Sequence, residues 1–153
     1  MKIVKKIMLT LLIAGGSIAG IQAQNGLAIK KVFDTYGKSK DAVMVELSLD
    51  VLEGYAFSLF KSITITGNEE AVNLARECLA IDEKDARKVK QVVANGVPTS
   101  VYLQLPPRGK YYRLILYNLN RQPELKLTLI YIETEKDSEE VIRLILKKNN
   151  LKT

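Results

Sequence analysis

The C-terminal half of the chain alternates apolar and polar residues in three consecutive runs, and this pattern demands β-structure. Val101, Leu103 and Leu105 alternate with Tyr102 and Gln104, residues 110–119 form a second run, and Leu125, Leu127, Leu129 and Tyr131 alternate with Lys126, Thr128 and Ile130. A period of two sends successive side chains to opposite faces of a strand. Pro106-Pro107-Arg108-Gly109 separates the first two runs, because prolines cannot donate to a ladder and glycine tolerates positive φ. Asn120 to Glu124, broken by Pro123, separates the second from the third. Three strands joined this way form an antiparallel meander.

The preceding segments supply helices and two further strands. Ile29, Val32, Phe33 and Tyr36 recur at helical spacing, with Asn25 as N-cap and Gly37 as the stop. Val43, Val45, Leu47 and Leu49 alternate with Met44, Glu46 and Ser48 in a half-buried strand, and Ser62–Thr66 reads as a short one. Residues 52–60 are aromatic-rich and fit either a short helix or a strand. Residues 69–95 read as helical, with Asp82 restarting a second helix after Leu79 and Gly96 ending it. Asp137 or Ser138 caps a closing helix whose inner face carries Val141, Leu144 and Ile145 and whose last turn carries Lys147 and Lys148. This order predicts an α+β fold: a mostly antiparallel sheet of about five strands with helices packed on one face.

The first 23 residues read as an address rather than as part of that fold. Lys2, Lys5 and Lys6 precede an apolar stretch from Ile7 to Ile18, and a small-residue segment ends at Ala23. Basic, apolar and small-residue regions in that order make a secretory signal. Cleavage is expected between Ala23 and Gln24, giving a signal peptide over 1–23 and a single α+β domain over 24–153. An uncleaved anchor is the alternative, but the apolar stretch is about a dozen residues long, against about 20 for a spanning helix. No cysteine follows it to carry lipid. The product is expected to be soluble, in the periplasm or secreted, touching a membrane only through the signal before cleavage.

Charge and residue inventory exclude several functions. The chain carries 23 basic and 17 acidic residues and a net charge of +6. Lys2, Lys5 and Lys6 leave with the signal and no acid does, so residues 24–153 carry +3. Lys84, Arg87, Lys88 and Lys90 are interleaved with Asp82, Glu83 and Asp85, unlike the basic stripe of a nucleic-acid binder, and none is expected as a partner. The chain has no histidine, so neither a Ser-His-Asp nor a Cys-His arrangement can form. Cys78 is the lone cysteine; with Ala71, Leu74 and Ala75 at helical spacing it reads as a small buried apolar residue. No zinc set, calcium loop or phosphate-binding glycine loop is present, and no cofactor is expected. Glu69-Glu70 and Glu139-Glu140 are adjacent carboxylates, but each pair opens a predicted helix, where the helix dipole accounts for them. No catalytic residue is assigned.

If the alternating Val and Leu positions face the helices, the opposite sheet face carries Met44, Glu46, Thr64, Thr128, Ile130 and a cluster of Tyr102, Tyr111, Arg113 and Tyr117. Tyrosine and arginine are enriched at binding hot spots, so these four form a candidate partner-binding face. Tyrosines also fit cross-strand pairs on exposed strands without any partner. The resulting functional expectation is a non-enzymatic binding or accessory module of the cell envelope, contacting an envelope protein or a second copy of itself. The alternative is a small carboxylate-dependent hydrolase acting on envelope or carbohydrate substrates. Two acids converging in a concave pocket would distinguish it.

The run Gln24-Asn25-Gly26-Leu27-Ala28-Ile29, continuing through Val32-Phe33-Asp34-Thr35-Tyr36-Gly37 to Val43-Met44-Val45-Glu46-Leu47-Ser48, resembles small exported proteins of Bacteroides-type bacteria grouped in domain-of-unknown-function families. The resemblance extends over nearly the whole of residues 24–153 and rests on a hydrophobic pattern rather than a chemical signature. It implies a Gram-negative envelope setting and carries over no catalytic residues.

Overall fold

Leucine, isoleucine and valine on alternate positions give this chain more strand than helix. The computed structural model describes residues 26–48, 57–137, 139–141 and 143. In chain order the elements are α1 (Lys30–Tyr36), β1 (Ala42–Ser48), β2 (Phe57–Thr66), α2 (Glu69–Glu83), β3 (Lys88–Ala94), β4 (Val97–Arg108), β5 (Tyr111–Asn120) and β6 (Lys126–Thr134). The strands form one antiparallel sheet in the order β1-β2-β6-β5-β4-β3. The fold is α+β, as expected, with one strand more than the five counted from sequence.

That strand is β3, where a second helix was expected. The helix α2 ends at Glu83, and β3 turns back onto β4 through Asn95 and Gly96. Both turn residues have left-handed backbones, φ 52° and 76°. Asn-Gly suits the mirror-image two-residue turn that matches the twist of paired strands, and β-branched Val89, Val92 and Val93 favour the extended state before it. Asp82 therefore starts no helix; it is the penultimate residue of α2. The ambiguous residues 57–60 belong to β2, while 52–56 lie outside the described residues. β4 also continues through Pro106 and Pro107. They sit beyond the last β3 partner and inside the register shift between Leu105 and Arg108, so no ladder hydrogen bond is lost. The turn itself is Gly109-Lys110, with Gly109 at φ 58°.

One face of the sheet, called inner here, is covered by α1 and α2. Ile63, Ile65, Leu103, Ile115, Leu127 and Leu129 pack there against Val32, Phe33, Ala71, Val72, Ala75 and Cys78. Burial of each large aliphatic side chain contributes about 2 kcal/mol. Asn68 starts α2 by accepting the Ala71 N–H at 2.9 Å. Its amide donates to Asp41 at 2.8 Å, tying the α1–β1 loop to the β2–α2 junction. Gly37 ends α1 beside β1, where an added Cβ would lie 2.5 Å from the Phe33 carbonyl oxygen and 2.8 Å from the Met44 sulfur.

The opposite, outer face is partly covered, so helical structure is not confined to one side. After β6 the chain enters a helical turn at residues 139–141, with the Asp137 carboxylate accepting the Glu139 N–H at 3.3 Å. Val141 is fully buried on the outer face among Tyr102, Leu114 and Ile132. Asn25, Leu144, Ile145, Lys147 and Lys148, named from sequence in the first and last helices, lie outside the described residues. Among the described residues no helix is long and apolar enough to cross a membrane.

Candidate binding surface

The strand register separates the four residues expected to share a face. Tyr102 stands opposite Leu116, whereas Val101 stands opposite Tyr117 and Leu105 opposite Arg113. Tyr111, Arg113 and Tyr117 thus point to the inner side and Tyr102 to the outer. The cause lies in β5, which is apolar on both parities: Leu114 and Leu116 on one, Ile115, Tyr117 and Leu119 on the other. Alternation could not choose between them; the Gly109-Lys110 turn and the bulge before it do. Tyr117 is 2% exposed, and burial pushes its hydroxyl above the usual tyrosine range. Arg113 donates from Nε to the Pro106 carbonyl at 3.0 Å, and the Lys110 ammonium lies 5.3 Å from the Tyr111 ring centre. β1 is reversed as well: Met44 and Glu46 pair with Ile63 and Lys61 on the inner side, while Val43 and Val45 face outward with Thr64 and Ser62. Thr64, Thr128 and Ile130 are outer, as expected.

The outer face has two halves. Over Tyr102, Leu114 and Ile132 it is closed by Val141. Toward the β3–β4 turn no described residue closes it, and a groove of about 670 Å³ runs over Val92, Tyr102, Leu116 and Ile130. Val92 is 61% exposed. Among the described residues, the only charged ones lining the groove are Lys90 and Lys126; Ser100, Asn118 and Thr128 supply neutral polar groups. An apolar floor with a few polar groups at its margin is the usual make-up of a binding surface.

A smaller pocket of about 130 Å³ lies on the inner side against α1, lined among others by Phe33, Glu46, Lys61, Tyr131 and Glu133. Its charged groups are mutually engaged. The Lys61 ammonium lies 3.7 Å from Glu46 and 5.0 Å from the Phe33 ring centre, and the Tyr131 hydroxyl donates to Glu133 at 2.8 Å. Burial, reinforced by that bond to Glu133, drives the Tyr131 hydroxyl far above the usual tyrosine range. The adjacent acid pairs do sit at helix starts. Glu69 takes a two-pronged bond from Arg121 at 2.9 and 3.1 Å, Glu139 meets Lys88 at 2.5 Å, and Glu140 meets Lys136 at 3.7 Å. Among the described residues, no three acidic or thiol side chains gather closely enough to hold a metal ion.

Asp82 is the structurally informative acid that sequence reasoning misassigned. It is 5% exposed, and its two oxygens accept the N–H groups of Ala28 at 2.7 Å and Ile29 at 2.9 Å. The signal was available: Ala71, Ala75, Cys78 and Asp82 fall on one helical stripe, so an acid continues the buried side of α2. Cys78, on the same stripe, is buried as expected, and burial raises its thiol above the usual range. A raised thiol carries little thiolate at neutral pH.

A family model described as a family of unknown function (DUF6108) matches residues 17–145. The chain belongs to that family. No curated protein and no solved structure matches the DUF6108 chain. Ala23 and Gln24, the expected cleavage residues, fall inside the matched span but outside the described residues.

Proposed function

We propose that the DUF6108 chain is an exported, non-enzymatic binding module of the cell envelope, and that its contact surface is the open half of the outer sheet face. One observation carries the reading. The same sheet face that buries Tyr102, Leu114 and Ile132 under Val141 leaves Leu116, Ile130 and Val92 bordering an open groove. Contiguous apolar surface left open beside a buried core is the usual mark of an interaction site. The export half of the proposal rests on the order of basic, apolar and small residues in 1–23.

Each half has its own experiment. Val92 is exposed, so Val92→Glu should fold normally while placing a charge in the groove. The full chain and this variant, immobilised and exposed to envelope extract, should differ in a retained protein. That protein, purified, should bind the wild type at least tenfold more tightly than the variant. Equal binding would remove the groove from consideration. Intact mass of the protein recovered from its host should start at Gln24; a chain retaining Met1 in the cytosol would end the export reading.

A further inference from the structure

The covered half of the outer face displays what this surface accepts. A helical turn inserts one apolar residue, Val141, and sets the acid two positions before it, Glu139, on Lys88 of β3 at 2.5 Å. The open half repeats those elements, and none of the described helical residues lines it. Lys90 follows Lys88 on the same side of β3, opposite Tyr102, about 7 Å further along the strand. Leu116 and Ile130 are half-buried beside it, and Lys126 stands at the far margin. Among the described residues no acid lines the groove, and neither Lys90 nor Lys126 is in an ion pair.

We infer that the groove takes an acidic amphipathic helix of a partner protein, with its apolar stripe on Leu116, Ile130 and Val92 and its carboxylates on Lys90 and Lys126. This rests on the binding-module reading above and adds the partner's chemistry. Helix-in-groove recognition uses apolar anchors at i, i+3, i+4 and i+7, and rim charges select the partner. Residues 144–153 carry Lys147, Lys148 and Lys152 and no acidic side chain, so they cannot supply the carboxylates that the rim lysines call for. Nor does the acid-rich helix α2 of a second copy, whose apolar side is already buried against its own sheet.

The test uses the full chain and a synthetic helical peptide with leucines at i, i+3, i+4 and i+7 and glutamates flanking them, beside a twin with every Glu→Gln. The glutamate peptide should bind the wild type at least tenfold more tightly than its twin, and added salt should weaken it. The double variant Lys90→Glu with Lys126→Glu, both at exposed positions, should lose that preference while its circular dichroism stays unchanged. Equal binding of the two peptides would overturn the charge assignment. Absence of peptide binding, while Val92→Glu still loses the captured envelope protein, would overturn the helix but leave the binding-module reading standing; if Val92→Glu loses nothing either, both fall. Dodecanoate binding in place of the peptide, or a dimer dissolved by the lysine variant, would also overturn it, by assigning the groove to an anionic amphiphile or to a second copy.

Discussion

The Asp82 carboxylate accepts the backbone N–H of Ile29 at 2.9 Å, across 53 positions of sequence. Its other oxygen takes the Ala28 N–H at 2.7 Å, so α2 supplies the cap that α1 lacks from its own side chains. Asp82→Ala leaves both donors without this acceptor. Charge-assisted bonds of this kind contribute about 1.5–3 kcal/mol, and the variant should lose about 3 kcal/mol in all. Urea unfolding would read this as a lower midpoint at unchanged slope. A wild-type midpoint would refute the capping role.

Two aspartates should act on stability with opposite signs as pH changes. Burial pushes the Asp82 carboxyl above its ordinary 3.8, while the Ser39 hydroxyl and the Asn68 amide hold that of Asp41 below it. Where the folded value is raised, the folded chain binds more protons than the unfolded one, so Asp82's contribution is full at low pH and declines as pH rises from the ordinary carboxylate value through the raised one. Where it is lowered, the contribution is full above about pH 4 and is lost as pH falls through the depressed value. Urea midpoints between about pH 2.5 and 7 should show Asp41→Asn flattening the acid limb and Asp82→Asn flattening the decline above it. Identical profiles would contradict both assignments.

Tyr117 should behave as a core residue. Truncating a large buried aromatic costs about 3–5 kcal/mol, so Tyr117→Ser should lower the thermal midpoint sharply. Arg113→Ser should do less, and Tyr111→Ser, half-buried at the start of β5, less again. A triple variant at these positions would report unfolding rather than lost binding. A thermal midpoint for Tyr117→Ser close to wild type would contradict its burial.

The Asn95-Gly96 turn should accept glycine at either position but resist an added side chain at Gly96. Gly96→Ala forces a side chain onto a left-handed backbone where an added Cβ meets no steric contact, so the cost isolates conformation: about 1 kcal/mol. Asn95→Gly should be close to neutral, since glycine takes φ 52° freely. Chemical unfolding of the two variants checks the contrast.

Where one periodicity dominated, sequence was enough. Val101, Leu103 and Leu105 gave β4, Leu127 and Leu129 gave β6, and Val32, Phe33 and Tyr36 gave α1. It failed where two signals competed. The charged stretch around Asp82–Lys90 suits a solvated helix, and that masked a hairpin written in the two residues Asn95 and Gly96. Side-chain direction was the other failure. β5 is apolar on both parities because its two faces are both buried along part of its length, under α2 and under Val141. A fully buried strand erases the alternation that would orient it. Of the groove, sequence placed Tyr102, Thr128 and Ile130 on the outer face but did not add Leu116, because the parity of β5 could not be read.

The β1–β2 pair is joined to the other four strands only through β6, with Thr66 opposite Lys126, 60 positions downstream. Distant pairings are entropically slow to close, and a two-stranded hairpin alone is marginal in water. Until residues 126–134 are available, β1 and β2 have no third strand beside them. Completion of the sheet thus waits for β6, a delay that the export proposed above would call for.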